Sequence, residues 1–228
     1  MKKYIIIGID EAGRGPLAGP VAVAGVATQI LLSASKIKFW KFLIPKIFAS
    51  RKFCAPTPRI SKIYFLRNIK DSKKLSAKQR EKWAAILYEK FECHCALIGP
   101  KTIDKIGIQK AVRLATARVL QRFNLCPDLV LLDGAMSAPK NYNQKTIIKG
   151  DEKVSIIAAA SIIAKTRRDA KMFRLHKKFP RYCFDKHKGY GTKLHYKMLK
   201  KHGLCSLHRR SFCRNLKAHN IARISNLD

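Results

Sequence analysis

Acidic side chains are scarce in this chain, and three of its apolar runs stop at one. Residues 5–9 end in Asp10-Glu11, residues 129–132 end in Asp133, and residues 147–148 lead through Lys149-Gly150 to Asp151. Against 48 Lys and Arg there are only 14 Asp and Glu. A carboxylate beside an apolar run is costly unless it is paired or bound to a cation. Adjacent strands bring such residues close together, and crowded carboxylates repel until one is protonated or a cation neutralises them. Mg²⁺ or Mn²⁺ suits that task, because hard cations prefer oxygen ligands. Two such ions clamping the attacking and leaving oxygens are a standard solution to phosphodiester hydrolysis. Asp133-Gly134 alone would read as an ordinary turn. The set of four carboxylates, Asp10, Glu11, Asp133 and Asp151, reads as a metal site.

The elements that must position these groups follow from local pattern. Residues 4–9 and 21–28 are apolar and β-branched, so they read as a strand pair. Gly13, Gly15, Pro16, Gly19 and Pro20 make the long loop between them. Residues 76–91 have helical spacing with Ser76 as N-cap. Residues 93–98 read as a strand. Residues 102–123 read as one amphipathic helix, with Ile108, Ala111, Val112, Ala115, Val119 and Phe123 on its buried side. Strands follow at 129–132 and 146–148, then a helix over 155–174. The tail is helical and broken at Gly189, Gly191 and Gly203. Strands and helices alternate after the first hairpin, which predicts an α/β class with a central mixed sheet.

Composition narrows the function. The net charge of +34 favours a polyanionic partner, and nucleic acid is the commonest. The positive charge runs through the whole chain and marks no single patch. The seven cysteines are irregularly spaced and do not form a secreted disulfide framework. Cys93-His94-Cys95 lacks the second pair that a zinc centre needs. Residues 21–32 are apolar but too short to span a bilayer, and a cytoplasmic enzyme with no membrane association is expected. In the segment 29–70, aromatic and basic residues alternate loosely. It reads as an insertion with a small local core before it reads as a stacking surface for nucleic acid.

The motifs then carry a resemblance. Gly8-Ile9-Asp10-Glu11-Ala12-Gly13-Arg14-Gly15-Pro16-Leu17-Ala18-Gly19-Pro20-Val21 resembles the opening signature of the type 2 ribonucleases H. The likeness continues through Asp71-Ser72-Lys73-Lys74-Leu75-Ser76, Leu132-Asp133-Gly134, Lys149-Gly150-Asp151 and 157–165. It ends with Arg168-Asp169, His187-Lys188-Gly189-Tyr190-Gly191-Thr192 and His208-Arg209-Arg210-Ser211-Phe212. The blocks stand in family order over almost the whole chain.

The resemblance implies a ribonuclease H-like fold over 1–228, with an atypical insertion at about 29–70 and a helical region at about 192–228. It implies a monomeric endoribonuclease of DNA replication and repair. Such an enzyme cuts the RNA strand of RNA–DNA hybrids and incises 5′ of ribonucleotides embedded in duplex DNA, leaving 3′-hydroxyl and 5′-phosphate ends. Asp10, Glu11, Asp133 and Asp151 would be the catalytic metal ligands. Gly13, Arg14 and Gly15 would read the 2′-hydroxyl, the group that separates RNA from DNA. Tyr190 would stack on the deoxyribose after the cut. Lys73, Lys74 and Ser161 would hold phosphates. His187, His195 and His208 read as structural or phosphate-facing groups before they read as proton carriers.

Two rivals remain. Type 3 ribonucleases H share the carboxylate plan, but normally carry an added N-terminal domain and generally lack the tyrosine. A basic binding protein without catalysis would tolerate loss of Asp10.

Overall fold

The computed structural model describes residues 2–32, 66, 69 and 75–214. Five strands form one sheet in the order β3-β2-β1-β4-β5. They are β1 (Lys2–Ala12), β2 (Val21–Leu32), β3 (Glu92–Ile98), β4 (Leu129–Asp133) and β5 (Gln144–Ile147). β1 and β2 form the expected hairpin, in register from Lys2 opposite Leu32 to Ala12 opposite Ala22. β3 is antiparallel to β2, whereas β4 runs parallel to β1 and β5 parallel to β4. The sheet is therefore mixed, as predicted.

The helices are α1 (Ala77–Lys90), α2 (Pro100–Ile106), α3 (Ile108–Leu120), α4 (Gly150–Lys153), α5 (Ser155–Lys178), α6 (Phe184–His187) and α7 (Lys193–His202). Strand alternation sends Tyr4, Ile6, Leu129 and Leu131 to one face, where they pack with Ile156–Ala164 of α5. Ile7, Ile9, Val130 and Leu132 face the other way, against Ala111, Val112, Ala115 and Val119 of α3. Burial on both faces is why these strands read as continuous apolar runs.

Ser76 caps α1 as expected: its hydroxyl accepts the Gln79 backbone N–H, while Gln79 accepts the Ser76 N–H. The single helix expected over 102–123 is instead α2 and α3. Gly107 stands between them at φ 81°, a left-handed conformation that interrupts the helix at a residue tolerating it. Asp151 does not end a strand run. β5 stops at Ile147, and Asp151 sits in the first turn of α4. Most of the segment 29–70 lies outside the described residues.

Cys93 and Cys95 pack against the α5-side core, while the His94 ring lies 4.7 Å from Phe123 on the opposite face. Alternation along β3 thus puts His94 on the face opposite the two cysteines.

Gly8 sets how closely α5 lies on β1. A Cβ there would stand 2.6 Å from the Ile156 carbonyl oxygen, a backbone atom that cannot yield cheaply. Gly8→Ala should destabilise the fold by about 1–3 kcal/mol through overpacking, read as a lower urea midpoint.

Candidate active site

The parallel pairing of β1 with β4 sets Ile9 beside Leu132, so the next residues, Asp10 and Asp133, emerge side by side at the strand ends. Both continue the alternation that faces α5. Asp10 is buried, and its carboxylate accepts the Glu11 backbone N–H at 2.7 Å and the hydroxyl of Ser161 on α5. Asp133 Oδ1 accepts the Gly150 N–H at 2.6 Å. That bond ties the end of β4 to the start of α4, where Asp151 is buried. Glu11 Oε1 meets Arg14 Nη1 at 3.2 Å, while its buried Oε2 has no hydrogen-bond partner among the described residues.

The electrostatics show the strain of this grouping. Burial drives the Asp10 carboxyl well above its ordinary range; Glu11 and then Asp133 add to the effect, and the Ser161 hydroxyl opposes it. Burial also raises Glu11, against the pull of Arg14. Donors that are all oxygen, mutual repulsion and an unpartnered Glu11 oxygen suit a hard divalent cation. Among the described residues, no three His, Cys, Asp or Glu side chains stand gathered as a finished metal centre. Carboxylates without a neutralising ion repel one another.

The loop after Glu11 is held by two arginines with no exposed surface, Arg168 of α5 and Arg209. Arg209 donates to the carbonyls of Gly13 (2.7 Å), Arg14 (2.7 Å) and Gly19 (3.0 Å). Arg168 donates to the carbonyls of Pro20 (3.0 Å), Ala18 (3.4 Å) and Lys188 (2.9 Å). In a trans peptide the N–H points opposite its C=O. The N–H groups of Arg14 and Gly15 therefore point away from Arg209. A side chain at Gly13, which has φ 88°, would collide with Arg168 Nε at 1.9 Å. Burial lowers the Arg209 pKa to about 10, still well above neutral, so the guanidinium stays charged.

The loop that carries Tyr190 docks on the same structure. Gly189 O accepts the N–H groups of Leu17 and Ala18. The Tyr190 ring is 39% exposed, with the Arg168 guanidinium 5.3 Å and the Lys165 ammonium 5.5 Å from its centre. One buried arginine thus bonds the Gly-rich loop and the Lys188 carbonyl and also touches the tyrosine.

Comparison with known proteins decides the family. The family model described as Ribonuclease HII matches residues 7–35 and 55–215. The chain belongs to the ribonuclease HII family. Curated relatives of that name include those of Caldicellulosiruptor bescii, 40% identical over 92% of this chain and 87% of its own length, and Endomicrobium trichonymphae, 41% identical over 92% and 85%. The ribonuclease HII of Archaeoglobus fulgidus, solved in a PCNA complex, is 26% identical with a TM-score of 0.67, covering 96% of this chain and 99% of that one. A Bst-RNase HIII structure in complex with Mn²⁺ shares the fold at TM-score 0.64 and 18% identity, over 96% of this chain and 70% of that one. The protein is thus a ribonuclease H-type endoribonuclease that acts on RNA–DNA hybrids.

Set against the ribonuclease HII pattern, the structure brings Asp10, Glu11 and Asp133 together and ties Asp151 to them through α4. It places Gly13, Arg14, Gly15 and Tyr190 around one arginine-held loop system. Lys73 and Lys74 lie outside the described residues. Ser161 is buried and its hydroxyl serves Asp10. In the sequence, Arg168 and Arg209 stand only as letters of the family motifs, with no role assigned. A signal for Arg168 did exist, since it continues the helical stripe Ile157, Ser161, Ala164 and Met172, all buried. Arg209 offers none, because it lies in no helix or strand whose period would mark it.

The histidines prove to be structural and neutral. His187 Nε2 donates to the Tyr182 carbonyl, and its Nδ1 accepts the Gly189 N–H. His195 Nδ1 donates to the Tyr190 carbonyl at 2.9 Å, and His208 Nε2 donates to His195 Nε2 at 3.1 Å. His208 Nδ1 in turn accepts the Cys205 N–H. Burial pushes His195 and His208 down to about 4, and the stacked His187 ring adds to both shifts.

Two outcomes follow. Arg209→Lys replaces a planar fork, whose three nitrogens each bond a separate carbonyl, by one tetrahedral nitrogen that cannot match their spacing. It should cost about 2–4 kcal/mol of stability by urea titration, with incision falling as well. The depressed histidines contribute stability that is full above pH 6.5 and lost as pH falls from there towards about 4. His195→Gln keeps a donor for Tyr190 and removes one titration, so the acid slope of stability across that window should become shallower.

Proposed function

We propose that this ribonuclease HII incises on the 5′ side of ribonucleotides, both in RNA–DNA hybrids and singly embedded in duplex DNA, leaving 3′-hydroxyl and 5′-phosphate ends. The observation that carries this reading is the arrangement of Asp10, Glu11 and Asp133 at one sheet end, followed directly by the Gly13–Arg14 loop with its carbonyls turned inward. Asp10, Glu11, Asp133 and Asp151 would hold Mg²⁺ or Mn²⁺, which when bound supplies Lewis acidity for phosphodiester hydrolysis. Ser161 and the Glu11 N–H orient the Asp10 carboxylate. The Gly150 N–H does the same for Asp133.

Specificity comes from groups outside the acids. The N–H groups of Arg14 and Gly15, turned away from Arg209, are suited to meet a 2′-hydroxyl, which both donates and accepts hydrogen bonds. The exposed Tyr190 face, backed by Arg168, suits a deoxyribose beyond the junction. A 2′-hydroxyl on one side and its absence on the other would mark an RNA–DNA junction.

The setting also fits. Among the described residues no helix is long and apolar enough to cross a membrane. The family and the net charge of +34 support work on cellular nucleic acid in the cytoplasm, in replication and repair.

A DNA duplex with one ribonucleotide, incubated with Mg²⁺ or Mn²⁺, should be nicked immediately 5′ of that ribonucleotide. Asp10→Asn should lower the incision rate by at least about 100-fold while duplex binding persists. An intact duplex after incubation with folded, unaltered protein would overturn the proposal, and so would full activity of Asp10→Asn.

A further inference from the structure

We infer that α5 carries a second nucleic-acid contact, centred on Phe173, which grips the DNA backbone beyond the junction. The inference rests on the reading above for its substrate. Phe173 is 50% exposed, the most exposed aromatic side chain among the described residues. Two ammonium groups flank its ring: Lys177 Nζ at 5.9 Å and Lys188 Nζ at 6.0 Å from the ring centre. Half of the ring's area stays in water, so its burial stabilises the fold only in part and the exposed half is free for a partner. The same group suits a sugar–phosphate chain, with the ring on a deoxyribose and the ammonium groups on the flanking phosphates.

The position of Phe173 ties it to the candidate site. Lys165, Asp169, Phe173 and Lys177 stand four residues apart along α5, so they form one row on the helix surface. Lys165 at the head of that row lies over the Tyr190 ring. Lys188 joins the two places from the other side: it precedes Tyr190 by two residues, and its carbonyl is held by Arg168 at 2.9 Å. The carboxylates nearby already have cationic or ionisable partners. Asp169 meets Lys165 at 2.9 Å, and Asp185 meets His176 at 3.2 Å. Lys188 Nζ also donates to the Asp185 backbone carbonyl, which does not cancel its charge, so Lys177 and Lys188 leave the patch positive beside the Phe173 ring.

Spacing predicts the register. From Lys165 to Phe173 the helix rises about 12 Å, at roughly 1.5 Å per residue. A duplex strand advances about 3.4 Å per nucleotide. If the strand tracks the helix, Phe173 meets it about three to four nucleotides beyond the one that Tyr190 touches. The contact would then favour substrates with a sufficient length of DNA after the ribonucleotide. It would add affinity without touching the bond that is cut.

The test is a pair of duplexes, each with one ribonucleotide, carrying about two or about ten base pairs of DNA on its 3′ side. Affinity is read by fluorescence anisotropy with a chelator present, and incision is read separately with Mg²⁺. Phe173→Ser should weaken binding of the long duplex about 3- to 10-fold and reduce its advantage over the short one. Lys177→Gln, a change of exposed charge, should lower the slope of log affinity against log salt by about 1 on the long duplex alone. Unchanged long-duplex affinity in both variants would overturn the inference. An equal loss on both duplexes would do the same. Failure of the unaltered protein to incise either duplex would instead overturn the functional reading beneath, and the binding comparison would still decide the Phe173 contact.

Discussion

Like charges forced together at the ends of two parallel strands set the terms for the rest of this molecule. Asp10 and Asp133 are neighbours because β1 and β4 pair in register up to Ile9 and Leu132. Glu11 follows one residue later. Such a cluster costs the fold stability, because both burial and mutual repulsion disfavour the charged forms. The structure offsets part of that cost with fixed donors: the Glu11 N–H and Ser161 hydroxyl for Asp10, the Gly150 N–H for Asp133 and the Arg14 guanidinium for Glu11. What remains unbalanced is what a divalent cation would neutralise. A strongly basic chain adds a field of the opposite sign around the cluster and would draw a polyanion towards it.

The same end of the sheet carries the parts that would read the substrate, and they are held by a different device. Two buried guanidinium groups hold the loop from beneath, beside a small apolar cluster of Ala18, Met172, Tyr182 and Phe184. Buried arginine is expensive, and it is tolerated here because six carbonyl oxygens accept from the pair. The gain is geometric, since a planar fork fixes the carbonyls it binds in direction as well as distance. Arg168 reaches both the Gly-rich loop and the loop of Tyr190, so the two candidate recognition elements share one support. The neutral imidazole pair of His195 and His208 completes that support by holding the Tyr190 carbonyl from below.

Acid placement and loop support are separable functions within one fold. The carboxylates could serve hydrolysis of many phosphodiesters, because nothing in their grouping distinguishes RNA from DNA. On the proposed reading, selectivity would come from the loop geometry around Gly13 and from the exposed aromatic faces. On this view α5 is the spine of the enzyme. Its first half is buried under the sheet and orients Asp10 through Ser161. Its second half carries Arg168, supports Tyr190 and leads to the exposed Phe173.

Much of this was legible in the residues alone. Continuous apolar strands, the Ser76 cap, the scarcity of acids and the ordered motifs depend on short-range pattern, which the chain carries locally. They determined the mixed α/β sheet, the strand-end positions of Asp10 and Asp133, and the family. Other features depended on partners far apart in the chain. Arg209 meets Gly13 across 196 residues and Arg168 meets Pro20 across 148, and no local period announces such a pair. Among so many basic residues, a buried arginine looks like any other until the fold removes its water. Asp151 was recognisable as an acid of the set, but only the structure moved it onto α4, where helix geometry instead of a strand end aims it. Ser161 and the histidines were visible too. Their roles were decided by burial and by which carbonyl or carboxylate the folded chain set against them.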